Sequence, residues 1–283
     1  MRIAGVFPGQ GSQSLGMLAE LASQFPQVQA TFAEASAALG RDLWALAQTG
    51  PEAALNSTEN TQPLMLAAGV AVWRVWLAQG GCQPVALAGH SLGEYSALVA
   101  AGALAFTDAV RLVAERARLM QSAVAEGEGA MAAILGLDDE QIIAACREAA
   151  QGEVVEAVNF NSPAQVVIAG QAAAVDRAIA VANTMGAKKA IKLSVSVPSH
   201  CALMQPAASQ LAAQLSAAQW QTNATPVLHN VDAQARQTTA DTVTALEQQL
   251  YRPVRWVDTI QQLKTTYNAE AIIEFGPGKV LAG

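Results

Sequence analysis

The chain has 283 residues, 52% hydrophobic and 14% charged, with a formal net charge of -7. That length and composition suit one large domain, or a domain carrying an insertion, around a sizeable core. The negative balance argues against a nucleic-acid partner. Cys82, Cys146 and Cys201 lack C-x-x-C spacing, so neither a disulfide framework nor a metal site is expected.

The first segment, MRIAGVFPGQGSQ, has only a short apolar run before Pro8 and no small-residue cleavage site. No signal peptide is expected, and the chain is read as cytoplasmic. RIAGVF predicts a strand. FPGQGSQ, residues 7–13, is then a loop at the carboxyl end of a strand, where ligands gather in open α/β sheets. Its glycines permit close backbone approach, and the loop can supply an oxyanion-binding N–H. The run LMLAAGVAVWRVWLAQ is interrupted by Arg74 and falls short of a membrane span, so no membrane partner is expected. QPVALAG predicts a short buried strand, and an alanine-rich helix follows from Ser91. FTDAVRLVAERARLMQSAV predicts a longer helix with Thr107 as its N-cap.

The pattern then changes. AMAAILGL predicts a strand, DDEQIIAACREAAQG a helix ended by Gly152, and VVEAVNFN with AQVVIAG two strands joined at Asn161-Ser162-Pro163. AAAVDRAIAVANTMG predicts a helix and KKAIKLSVSV a strand. This βαββαβ order is that of a ferredoxin-like module, so residues 127–197 are expected to form a small inserted subdomain. SHCALMQPAASQLAAQL predicts a helix, TPVLHNV a strand and AIIEFG a last strand. Residues 1–126 and 198–283 are thus expected to form a mostly parallel, helix-covered core.

Gly89-His90-Ser91-Leu92-Gly93 fits G-x-S-x-G, and it stands where a nucleophile needs it, between a strand and a helix. Ser91 would then sit at a helix N-terminus, whose free N–H groups favour a developing oxyanion. The plainer alternative is a turn with a serine cap. A serine nucleophile needs a base, and there are three histidines. His90 adjoins Ser91 and is unsuited to converge on it. His229 falls mid-strand, a place for a structural histidine. His200 falls at a predicted helix start, where the dipole keeps the ring neutral and basic. His200 is favoured and His229 is the alternative; Asp232 lies near His229 but nothing in the sequence supplies His200 with an acid. On the helix after Thr107, residues Arg111, Glu115, Arg118 and Ser122 share a polar face. Arg116 lies roughly 125° from its centre, on the core side. A core-side arginine needs acceptors. It is either a structural ion pair or a clamp for a substrate carboxylate.

FPGQGSQ, AGHSLGEYSALVAAG, AVRLVAERARLMQ, VNFNSPAQVVIAG, VSVPSHCALMQPAA and FGPGKVLAG occur in order along nearly the whole chain. Together they resemble the bacterial malonyl-CoA:acyl carrier protein transacylases. The resemblance implies an α/β-hydrolase-like core with a ferredoxin-like insertion, and transfer of malonyl from malonyl-CoA to the phosphopantetheine thiol of an acyl carrier protein by way of a malonyl-serine. It assigns Ser91 as nucleophile and His200 as base, held by the backbone carbonyl of Gln249. Gln10 and Leu92 would give the oxyanion N–H groups, and Arg116 would bind the malonyl carboxylate. Asn159, Asn161 and Gln165 would line the cleft, and Asn230 would support the site. No permanently bound cofactor is implied: coenzyme A enters as the substrate's thiol carrier. A monomer is expected, with basic residues for an acidic carrier among Lys188, Lys189, Lys192, Arg111 and Arg118. Members of the family usually continue beyond GPGKVLAG with a further helix. A thioesterase, a malonyl transferase serving a polyketide or malonate-decarboxylase carrier, and a non-catalytic carrier-binding scaffold are the competing readings.

Overall fold

A computed structural model describes residues 1–195 and 197–282. In chain order the elements are β1 (Ile3–Phe7), α1 (Ala19–Gln24), α2 (Gln27–Leu39), α3 (Leu43–Thr49), α4 (Glu52–Leu55), α5 (Thr58–Ala78), β2 (Ala86–Gly89), α6 (Gly93–Ala100) and α7 (Phe106–Ser122). Then come β3 (Gly129–Leu135), α8 (Asp139–Ala150), β4 (Val155–Ser162), β5 (Gln165–Gln171), α9 (Ala172–Thr184) and β6 (Lys189–Lys192). A 3₁₀ turn (Ala202–Met204), α10 (Gln205–Ala217), β7 (Val227–Leu228), α11 (Thr239–Gln249), α12 (Trp256–Thr265) and β8 (Ala271–Glu274) complete it.

The strands form two sheets. The first is parallel, in the order β7-β2-β1-β8. Its short apolar strands, IAGVF and ALAG, are fully buried, as strands covered on both faces by helices must be. The second is antiparallel, β4-β5-β3-β6, with the βαββαβ connection read from the sequence. This is an α/β-hydrolase-like core with a smaller ferredoxin-like unit. Each sheet packs its own apolar cluster, the larger around α5, α6 and α7 and the smaller against α8 and α9.

Helix α5 contains the long apolar run. It is buried along most of its length because α2, α6 and α7 pack around it. Arg74, which interrupts the run, pairs with Glu34 at 2.7 Å and lies over the Phe106 ring. Among the described residues no helix is long and apolar enough to cross a membrane.

Some expected boundaries move. Helix α7 begins at Phe106 with Ala105 at the cap, so Thr107 lies inside its first turn and caps nothing. The segment around His200 is not a helix start but a turn, with helix proper from Gln205. The strand expected over residues 188–197 is ordered as β6 only over Lys189–Lys192, with Leu193 N–H still bonding Met131 at 2.9 Å; Ser196 lies outside the described residues. The strand expected through His229 ends at Leu228, where the chain turns back so that Ala233 N–H reaches the His229 carbonyl at 2.9 Å.

Backbone bonds join the two sheets' units. Val254 N–H donates to Val158 at 2.8 Å and its carbonyl accepts from Phe160 at 3.0 Å, so β4 is bridged to the segment between α11 and α12. Glu156 adds a side-chain bond to the Ala202 N–H at 3.0 Å, next to His200.

Candidate active site

In the parallel sheet Phe7 lies opposite Gly89, so the loops that leave β1 and β2 emerge side by side at its carboxyl edge. The first carries Gln10 and the second Ser91. The elbow between β2 and α6 is tight. A Cβ on Gly89 would fall 1.9 Å from the Gly93 carbonyl carbon, and one on Gly93 would fall 2.1 Å from the Phe7 oxygen. Both glycines of G-x-S-x-G are therefore required by close approach of backbone. Between them Ser91 takes φ 51°, a left-handed conformation that non-glycine residues seldom hold, as at a strained nucleophile turn.

Ser91 Oγ stands 2.8 Å from His200 Nε2. His200 Nδ1 stands 2.7 Å from the Gln249 carbonyl. A carbonyl only accepts, so Nδ1 carries the proton and Nε2 offers its lone pair to the Ser91 hydroxyl. His200 is also left-handed, at φ 66°, and fully buried. Burial and the Arg116 cation hold its pKa at about 3, against the bond to Gln249, which raises it. The helix dipole expected to keep the ring neutral is absent, since a turn precedes only a three-residue 3₁₀ segment; desolvation and a neighbouring cation do that work instead.

His229, the alternative base, is elsewhere. Its Nδ1 donates to Glu94 Oε1 at 2.6 Å, with both groups buried. Asp232 pairs with Arg236 rather than with either histidine.

Arg116 is 1% exposed, as its place on the core side of α7 foretold. Among the described residues it makes no ion pair at all. Nη1 donates to Gln62 Oε1 at 2.7 Å and Nη2 to Gln249 Oε1 at 2.9 Å, while Nη2 also lies 3.3 Å from Ser91 Oγ. Its Nε is buried with no partner among the described residues. Two neutral amide oxygens thus hold the guanidinium without cancelling its charge, beside the nucleophile. That arrangement fits a carboxylate-binding group, and it is not the structural ion pair that was the other reading. Gln62 on α5 was not singled out from the sequence, where it lies in an unremarkable stretch, TENTQP.

One cavity gathers Gln10, Ser91, Leu92, Arg116, Asn159 and His200. Its remaining wall includes Met120, Met131 and Leu193. Asn159 presents a buried Oδ1 that has no partner among the described residues. Asn161 and Gln165 depart from expectation. The irregular register near the end of β4 turns Asn161 to His90, whose Nε2 bonds its Oδ1 at 2.8 Å. Gln165 opens β5 at the hairpin tip, exposed to solvent, and its side chain accepts from Ser162. Neither lines the cavity. Asn230 supports the elbow directly: its Oδ1 accepts from Ser91 N–H at 2.7 Å, and its Nδ2 donates to the Gly89 carbonyl at 2.7 Å.

Comparison with known proteins shows the family to which the chain belongs. Residues 5–282 match the family described as the acyl transferase domain. The malonyl CoA-acyl carrier protein transacylase of Salmonella typhimurium is 56% identical over 282 residues, covering 100% of this chain and 91% of that protein. The protein of the same name in Bacillus subtilis is 44% identical, with 100% and 89% covered. The solved structure of the Coxiella burnetii malonyl CoA-acyl carrier protein transacylase superposes with a TM-score of 0.99 at 52% identity, covering 100% of this chain and 89% of that one. A type II PKS acyl-carrier protein in complex with its malonyl-transacylase gives a TM-score of 0.98 at 56% identity over 100% and 91% of the two chains.

Proposed function

This chain belongs to the acyl transferase domain family, and from that premise we propose that it transfers malonyl from malonyl-CoA to the phosphopantetheine thiol of an acyl carrier protein, supplying fatty acid synthesis. The observation that carries the reading is the pairing of Ser91 and His200 beside an arginine that, among the described residues, is held by two amide oxygens and by no carboxylate. Its core is assigned to residues 1–126 and 198–283, and the small subdomain to 127–197.

The chemistry follows from the atoms in place. Ser91 Oγ attacks the thioester carbonyl as His200 Nε2 takes its proton. The N–H groups of Gln10 and Leu92 are assigned to the oxyanion, each such donor contributing about 2.7–4 kcal/mol in known cases. The C–S bond breaks, and the coenzyme A thiolate takes the proton from His200. The carrier's thiol then gives its proton to His200 and attacks the Ser91 ester; the C–O bond breaks and Ser91 regains its hydrogen. Arg116 holds the free carboxylate in both half-reactions, so malonyl is preferred to acetyl.

Among the described residues no carboxylate touches His200, which sets this site apart from the Ser-His-Asp arrangement of a typical esterase. For carrier docking, Lys192 is engaged by Asp176, Arg111 by Asp108 and Arg118 by Glu115, so Lys188 and Lys189 are the cations assigned to the acidic carrier. The similarity to a polyketide malonyl-transacylase makes a polyketide carrier the second acceptor to try. Intact-mass measurement after mixing with malonyl-CoA, then with purified carriers, tests the whole reading. One malonyl group gained by the protein and passed on to a carrier is expected. Release as free malonate with no transfer would make it a hydrolase.

A further inference from the structure

Gln249 does more than hold the base. Its carbonyl fixes His200, but its side chain, at the end of α11 and fully buried, faces four other groups, the most distant of them Asn230 Oδ1 at 3.5 Å from Nε2. Nε2 donates to the Ser91 carbonyl at 2.9 Å and to Glu94 Oε2 at 2.8 Å. Oε1 accepts from Arg116 Nη2 at 2.9 Å.

A carbonyl and a carboxylate can only accept from an amide NH₂, so those two partners dictate which end of the amide faces Arg116. Glu94 is itself immobilised. It is fully buried in the first turn of α6 and accepts from His229 Nδ1 at 2.6 Å and from Asn230 N–H at 3.0 Å as well. The reversed amide would set an NH₂ against the guanidinium and an oxygen against a carboxylate, and both contacts repel. The order Glu94–Gln249–Arg116 also keeps a buried anion one amide away from the cation. It opposes in part the burial that lowers the Arg116 pKa, and it makes no bond to the fork a substrate carboxylate needs.

We infer that Gln249 is a specificity-determining positioning residue: Glu94 and the Ser91 carbonyl turn its side-chain amide so that the oxygen aims Arg116 at the substrate carboxylate. This rests on the reading of Arg116 as the malonyl clamp. The two roles of Gln249 separate cleanly, because the carbonyl that holds His200 belongs to the backbone and survives any side-chain change. The Ser91 carbonyl keeps the Glu94 N–H as a donor, at 3.1 Å.

Gln249→Met has nearly the same length and lacks the amide. The ratio of malonyl to acetyl kcat/KM should fall at least about tenfold. Arg116→Ala, measured alongside, reports on the clamp reading. Equal losses for malonyl and acetyl in Gln249→Met, with a malonyl-selective loss in Arg116→Ala, would overturn the inference and leave the clamp standing. An unselective Arg116→Ala would overturn both. Neutron diffraction from a deuterated crystal of the unmodified enzyme gives a test that needs no variant to fold. Deuterons on Gln249 are expected toward Glu94 and the Ser91 carbonyl; deuterons toward Arg116 would refute the proposal.

Discussion

Ser91 Oγ lies 2.8 Å from His200 Nε2 and 3.3 Å from Arg116 Nη2, so base and cation meet at a single hydroxyl. Ser91→Ala removes that hydroxyl while leaving the elbow's glycines and its Asn230 bonds. The variant should fold and take up no malonyl group by intact mass. Uptake of one malonyl group by it would refute the assignment of Ser91.

The two buried histidines should part company. His200→Ala should slow acylation by roughly 10²–10⁴, the usual span for a lost general base. His229→Ala leaves Glu94 one donor short in a buried place, so a stability loss of about 1–3 kcal/mol is expected with near-normal acylation. Rate measurements and urea unfolding on both variants check this; an inactive, stable His229→Ala would exchange the roles.

The neutral ring of His200 has a pH signature. Its folded pKa is about 3, below the ordinary 6.5, so the unfolded chain takes up a proton first as the pH drops. The stability His200 confers is full above about pH 6.5 and declines from there toward pH 3. Urea unfolding at pH 7 and pH 5 should show a smaller loss in His200→Asn than in the unmodified protein. The same depression means that kcat/KM for acylation should show no His200 limb between pH 8 and 5. An acid limb centred near 6.5 would contradict the burial that sets the shift.

Arg116→Ala separates a clamp from a strut. A charged hydrogen bond left unpaired costs about 1.5–3 kcal/mol, so malonyl kcat/KM should fall by at least ~10–10². Acetyl transfer should hold or rise, since the variant also removes the cation that depresses His200. Both kcat/KM values on one preparation decide it, and equal losses would sink the clamp.

Charge reversal at Lys188 and Lys189 should raise the carrier's KM and leave that of malonyl-CoA unchanged. The effect should shrink with added salt, as exposed charges are screened over about 8 Å at physiological ionic strength. An unaltered carrier KM would clear this patch of a role.

Much of this site is local in sequence, and that part was legible. The elbow at Ser91 is written in two glycines between a strand and a helix, and the insertion in a change of strand–helix order. Arg116 betrays itself by sitting on the apolar side of an amphipathic helix. What was not legible depends on contacts across the fold. Gln62 meets Arg116 from 54 positions away, and Glu94 meets His229 across 135. No periodicity encodes such pairings. From its position alone the base His200 was legible as one of two choices, and the expected reason for its neutrality was wrong, because burial and a cation far away in sequence leave no mark on the neighbouring residues. The placing of Asn161 against His90 and of Gln165 in solvent at the hairpin tip was likewise not legible, because the register of β4 against β5 is irregular there.

The seam at Val254 is made of peptide groups, so a substitution there breaks it only where it brings in proline, which has no N–H to donate. At that point the spacing of the two units is therefore set by backbone pairing rather than by the residues that line the cleft. An enzyme re-engineered for bulkier acyl units should gain its room by trimming the wall at Met120 or Leu193, and the carrier would still meet an entrance of the same span.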